Sequence, residues 1–149
     1  MAQDAIALAR ASVEAFSAGD WGWLRAHSAP DMLYEETGTG QRIQGADAVL
    51  AYVQAWKQAM PDAKGTITGA IGSGDQVALE IVWDGHQTGP LPTPIGVLPP
   101  SGKRAASQAV QIITLEGDKV KRVRHYLDLL GFLQQVGALP EASQARAPA

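Results

Sequence analysis

The chain has 149 residues, enough for one full hydrophobic core and too few for two. Its 46% apolar and 18% charged residues are those of an ordinary globular domain, and a net charge of −3 with scattered Lys and Arg argues against nucleic acid as a partner. The absence of cysteine excludes disulfides, thiolate metal ligands and thiol nucleophiles.

The opening MAQDAIALARASVEAF mixes acidic with apolar residues, unlike a signal peptide, and no run approaches the ~20 apolar residues of a membrane span. These features predict a cytoplasmic protein with no membrane partner. Within the same segment Ile6, Ala9, Val13 and Phe16 recur at helical spacing and predict a first helix that stops at Gly19. Asp20 is placed to cap a short second helix through Trp21, Trp23 and Leu24. Residues 31–36 read as a brief strand, followed by GTGQRIQG as a hairpin-like turn or loop. Val49, Val53, Trp56 and Met60 share one face of a third helix that Pro61 ends.

Beyond Pro61 the pattern is β-rich over residues 65–71, 76–83, 104–115 and 119–127, with GSGD and EGDK as turns. Four successive strands predict an antiparallel, strongly curved sheet. Between the middle two, HQTGPLPTPIGVLPPSGK is too rich in proline and glycine to continue either element, and reads as a long loop of the lid or binding type. Leu129, Leu130, Phe132, Leu133 and Val136 predict a closing amphipathic helix ending near Gly137, and EASQARAPA an unstructured tail. The expected fold class is therefore α+β: one domain over residues 1–140, with a curved antiparallel sheet wrapped around helices, a conical internal pocket, and a disordered tail over 141–149.

The chain contains no P-loop, dinucleotide fingerprint, zinc spacing or nucleophile elbow, so chemistry has to come from isolated polar residues. Asp128 stands where the last strand gives way to a helix, and alternation puts Arg124, Tyr126 and Asp128 on one face that can point into the pocket. Two readings stay open for Asp128. It is either a general acid/base whose pKa an apolar cavity raises, or the N-cap of the helix that begins at Leu129. His86 opens the proline-rich loop at a plausible pocket mouth, where it would polarise a carbonyl or shuttle a proton; an exposed loop histidine is the bland alternative. His125, with Val123 and Leu127 on the opposite strand face, reads as a packed histidine, and His27 as the end of the second helix. Tyr34 and Glu36 are further pocket candidates, since of the adjacent Glu35 and Glu36 only one can face a cavity. Glu80 in VALEIVW needs a partner or a wet face. Gln108 and Gln111 lie on the strand expected to pair with that of Asp128, Gln108 roughly opposite Tyr126, and Trp83 is placed to form a pocket wall.

Four segments, QGADAVLAYVQAW…MPDA, WDGHQTGP, PPSGKRA and GDKVKRVRHYLDLLGFLQQVGAL, give the chain a resemblance to the SnoaL-like polyketide cyclases of the nuclear-transport-factor-2-like superfamily. The most specific is HYLDLLGFLQQVG, similar to a family strand that ends in an aspartate followed by a Leu/Gly-rich turn and a Gln–Leu–Gly helix, with Val136 here at the Leu position. The resemblance implies a cone-shaped fold, a homodimer paired through the outer sheet face, and Asp128 as general acid/base. It further implies an intramolecular aldol ring closure of a small hydrophobic carbonyl compound, with no metal or organic cofactor. His86, Tyr126 or Arg124 would then stabilise the developing alkoxide, and residues 89–102 would shield it from water. The wider superfamily also holds epoxide hydrolases, which need a second pocket carboxylate, and non-catalytic binding proteins, in which Asp128 would only cap.

Overall fold

The computed structural model of the protein describes residues 2–139. Helix α1 (Ala2–Ala18) buries Ala9 and Val13 from its apolar stripe, and the chain leaves it at Gly19, whose φ of 72° is accessible at little cost only to glycine. Asp20 caps α2 (Trp21–Ala26) by accepting from the Trp23 amide at 3.0 Å. The first strand, β1 (Ser28–Thr37), extends beyond the six residues read from the sequence, and GTGQRIQG supplies both a turn and a second arm, β2 (Gln41–Gln44). Helix α3 (Ala46–Ala59) follows and ends at Met60, just before Pro61.

The β-rich half contains β3 (Lys64–Ser73), β4 (Gln76–His86), a small hairpin of β5 (Leu91–Thr93) and β6 (Gly96–Leu98), then β7 (Arg104–Glu116) and β8 (Lys119–Leu127). It closes with α4 (Leu129–Gln135). The tail expected over 141–149 lies outside the described residues. The main sheet has the order β2-β1-β8-β7-β4-β3, and β1 runs parallel to β8. The sheet is thus mixed rather than antiparallel, because the first strand slots in beside the last one in the same direction. Bulges between Ile67 and Gly69 and between Thr114 and Leu115 add local bends.

Residues 87–103 carry the β5–β6 hairpin and are docked on the domain rather than forming an irregular loop. The Gln87 side chain, fully buried, donates to the carbonyls of Gly89 (2.8 Å) and Pro99 (3.1 Å) and accepts from the Ser101 amide (3.1 Å), tying both arms of the segment together. The amides of Thr88 and Gly89 both donate to the carbonyl of Ala59, which docks the segment on the end of α3.

Two apolar clusters make the core. One joins Ala9, Val13, Met32, Val49, Leu79, Ile81, Ile113 and Val123; the other joins Met60, Ala63, Leu91, Ala105, Phe132, Leu133 and Val136. At roughly 2 kcal/mol for each large buried side chain, α4 is held chiefly by Phe132 and Leu133. No described helix is long and apolar enough to cross a membrane.

Candidate active site

Where the two clusters meet, the concave sheet face and the helices enclose a cavity of about 170 Å³. Its wall is apolar over most of its extent: Val13 and Phe16 from α1, Val49, Val53 and Trp56 from α3, Met32 from β1, Trp83 from β4, and Phe132 from α4. Strand alternation sets the polar members. On β1 the buried positions Met32, Tyr34 and Glu36 point inward, and on β7 Ala105, Ser107 and Ala109 do the same.

Four residues of the wall, Trp83, His125, Tyr34 and Glu36, join in one hydrogen-bonded chain. Glu36, 3% exposed, receives three hydroxyl donors: Tyr34 at 2.6 Å on Oε2, and Tyr52 at 2.6 Å and Thr39 at 2.7 Å on Oε1. Tyr34 Oη also meets His125 Nδ1 at 2.9 Å, and His125 Nε2 lies 3.1 Å from the indole nitrogen of Trp83. An indole N–H can only donate, so Nε2 of His125 must accept and its proton sits on Nδ1. The direction of every bond is then determined: Trp83 donates to His125, His125 to Tyr34, and Tyr34 to Glu36. A neutral His125 agrees with its burial, which lowers its pKa to about 4. Burial, followed by the neighbouring Glu36 charge, raises the Tyr34 phenol well above its usual range, and the same two causes raise Tyr52.

Glycine and alanine make room for this arrangement. A Cβ on Gly65 would lie 2.7 Å from the Trp83 ring and 2.8 Å from Val13, so β3 can carry the indole flat only where it has no side chain. Trp83 pairs across β4–β7 with Ser107 while Leu127 of β8 pairs with Ala109, so the Trp83 and His125 side chains meet over the small residue between them.

Of the residues expected at the site, Tyr34, Glu36, Trp83 and Gln111 line the cavity. Arg124, Tyr126 and Asp128 do not; their face of β8 turns away from it. The cause is an extra residue, Lys121, at the bulge in β8: Leu115 pairs with Val120 but Thr114 with Arg122. Unbroken alternation from the buried Val120 would have brought Arg124, Tyr126 and Asp128 inside. The bulge reverses the parity and brings Val123, His125 and Leu127 inside instead. Tyr126 pairs with Val110 rather than with Gln108, which is exposed; the bulge accounts for one of the two places, since the register before it sets Tyr126 against Ala109.

Asp128 is exposed and caps α4, accepting from the Gly131 amide at 2.9 Å. Its carboxylate lies close over Gly131, where an added Cβ would meet it at 2.3 Å, so a side chain there would push the capping carboxylate aside. His86 is half-exposed and bound to Asp62, ring nitrogen to carboxylate at 2.6 Å, away from the cavity. Glu80 is exposed on the outer sheet face, and no residue of the 87–103 segment lines the cavity. His125 and Ser107 belong to the polar wall without having been expected there, and Thr39 and Tyr52, which do not line the cavity, hold Glu36 by donating to it. Among the described residues no group of three or more metal-ligating side chains converges.

A family model described as SnoaL-like polyketide cyclase matches residues 6–136. No curated protein matches the sequence. Among solved structures, a candidate SnoaL-like polyketide cyclase from Jannaschia sp. CCS1 has a TM-score of 0.82 at 20% identity, over 93% of this chain and 95% of that one. IdmH of Streptomyces antibioticus, a candidate polyketide cyclase, gives 0.74 at 24% identity over 91% and 97% of the two chains. An LEH-like epoxide hydrolase of M. tuberculosis gives 0.71 at 16% identity over 91% and 90%. Likeness at these identities establishes the fold, a ketosteroid-isomerase-like or nuclear-transport-factor-2-like α+β cone.

Proposed function

The chain belongs to the SnoaL-like polyketide cyclase family, and from that premise we propose that it is an acid/base enzyme for an apolar carbonyl compound, with Glu36 as the proton-transferring group. The observation that carries this reading is a carboxylate 3% exposed in the wall of an apolar cavity, oriented by three hydroxyl donors. Glu36 removes a proton from the carbon beside one carbonyl. The enolate attacks a second carbonyl of the same molecule, a carbon–carbon bond closes the ring, and the alkoxide takes the proton back from Glu36. Tyr52 and Thr39 fix Oε1, His125 and Trp83 orient Tyr34 on Oε2, and the aromatic wall keeps water from the enolate. Asp128 serves as the cap of α4.

Deuterium exchange tests the first step without knowledge of the natural substrate. With 2-tetralone in D₂O, wild-type protein accelerates loss of the α-proton NMR signals; Glu36→Gln reduces the catalysed rate by about 10²-fold or more, and Asp128→Asn changes it less than twofold. The assignment is wrong if Asp128→Asn abolishes exchange and Glu36→Gln spares it. Ligand binding with no catalysed exchange would favour a binding protein. Epoxide hydrolysis has less support, since Glu80 and Asp128 lie outside the cavity and Asp84, at its edge, is tied to Arg104.

A further inference from the structure

Ser107 is left over from this network. Its side chain is 8% exposed, its Oγ has no hydrogen-bond partner among the described residues, and it lines the cavity. The neighbouring inward positions on β7, Ala105 and Ala109, carry methyl groups, and Trp83 across the strand pair directs its N–H to His125 instead. A buried hydroxyl without a partner costs the folded protein about 1–3 kcal/mol, a cost that disappears if a ligand atom completes the bond. A serine differs from alanine here by that hydroxyl alone.

We propose that Ser107 is the anchor for a carbonyl or hydroxyl oxygen of the cavity's ligand, which is therefore an apolar compound with an oxygen set on the β7 side. The inference rests on the same cavity being the substrate site. It adds that, in the ring closure above, the oxygen bound by Ser107 is that of the carbonyl under attack. The hydroxyl donates to that oxygen as negative charge develops on it, so Ser107 acts in positioning and in charge stabilisation, and Glu36 alone moves the proton.

The test compares 2-tetralone with tetralin, the hydrocarbon of the same ring size, by isothermal titration calorimetry on wild type, Ser107→Ala, Ser107→Thr and Asp128→Asn. The expected result is a ketone-to-hydrocarbon affinity ratio about fivefold lower in Ser107→Ala than in wild type, partly recovered in Ser107→Thr and unchanged in Asp128→Asn, which lies outside the cavity. Unliganded Ser107→Ala should also melt a few degrees higher than wild type, since it removes an unpaired buried hydroxyl. A serine with only a structural role gives the melting shift and leaves the ratio alone, and that outcome overturns the proposal. Loss of the ratio in Asp128→Asn, or binding of neither compound by wild type, overturns it as well. Failed deuterium exchange with an intact Ser107 ratio removes the acid/base reading and keeps the anchor.

Discussion

Acidification from pH 7 to pH 5 should destabilise this protein through His125. In the unfolded chain the imidazole protonates near its ordinary value of about 6.5, whereas burial holds it down to about 4 in the folded state. Between those values the unfolded chain binds a proton that the native protein refuses, so stability falls as pH falls, at up to about 1.4 kcal/mol per pH unit. Integrated from pH 7 to pH 5, the loss is about 2 kcal/mol, and it is complete only below pH 4. Carboxylates held low by cation, histidine or backbone partners, such as Glu35, Asp62 and Asp84, lose their contribution mainly below pH 5, which leaves the upper window to histidine. Urea unfolding at pH 7, 6 and 5 of wild type and His125→Gln provides the assay, since His27 and His86 cancel in the difference. Wild type should lose about 2 kcal/mol more than the variant over this range. Equal slopes would refute the argument. A wild type that gains stability toward pH 5 would refute it more specifically, because His125 would then be protonated and paired with Glu36, 3.9 Å away.

Three further outcomes follow from the packing. Asp128→Ala should cost about 1 kcal/mol of helix capping, visible as a lower melting temperature, whereas Asp128→Asn retains a cap and melts near wild type. Gly65→Ala drives a methyl into the Trp83 ring, and strain of about 1–3 kcal/mol should accompany a changed tryptophan emission as the indole leaves His125. Gln87→Leu leaves the Gly89 and Pro99 carbonyls and the Ser101 amide without their partner, so limited proteolysis should cut within residues 87–103 faster than in wild type.

The elements were largely legible in the sequence because each carries its own local signal: the helical stripe of Val49, Val53 and Trp56, the cap at Asp20, the breaker at Pro61. β2 escaped because four mainly polar residues between glycines read as a turn. The site was legible only in part. Met32, Tyr34 and Glu36 alternate plainly on β1, whereas the partners that orient Glu36 come from a turn, a helix and a distant strand, and such proximity leaves no local trace. On β8 a single inserted residue decided which set of side chains faces the cavity. The clue available was the two arginines, Arg122 and Arg124, which belong on the wet face and so place His125 on the dry one.

The parallel seam between β1 and β8 also governs when the site can exist. Tyr34 and His125 are 91 residues apart in the chain, and their contact requires the first strand to wait for the last. Closing a loop of that length costs about 7 RT, or about 4 kcal/mol, from the length-dependent part of the loop entropy alone, repaid only once the strands pair. Such non-local pairing makes for slow folding. A nascent chain can form the β3–β4 hairpin early, but the carboxylate acquires its histidine-oriented tyrosine only when β8 arrives. The arrangement on which the proposed proton transfer rests therefore forms together with the completed cone and not before it, and deuterium exchange regained during refolding would report the closing of this seam.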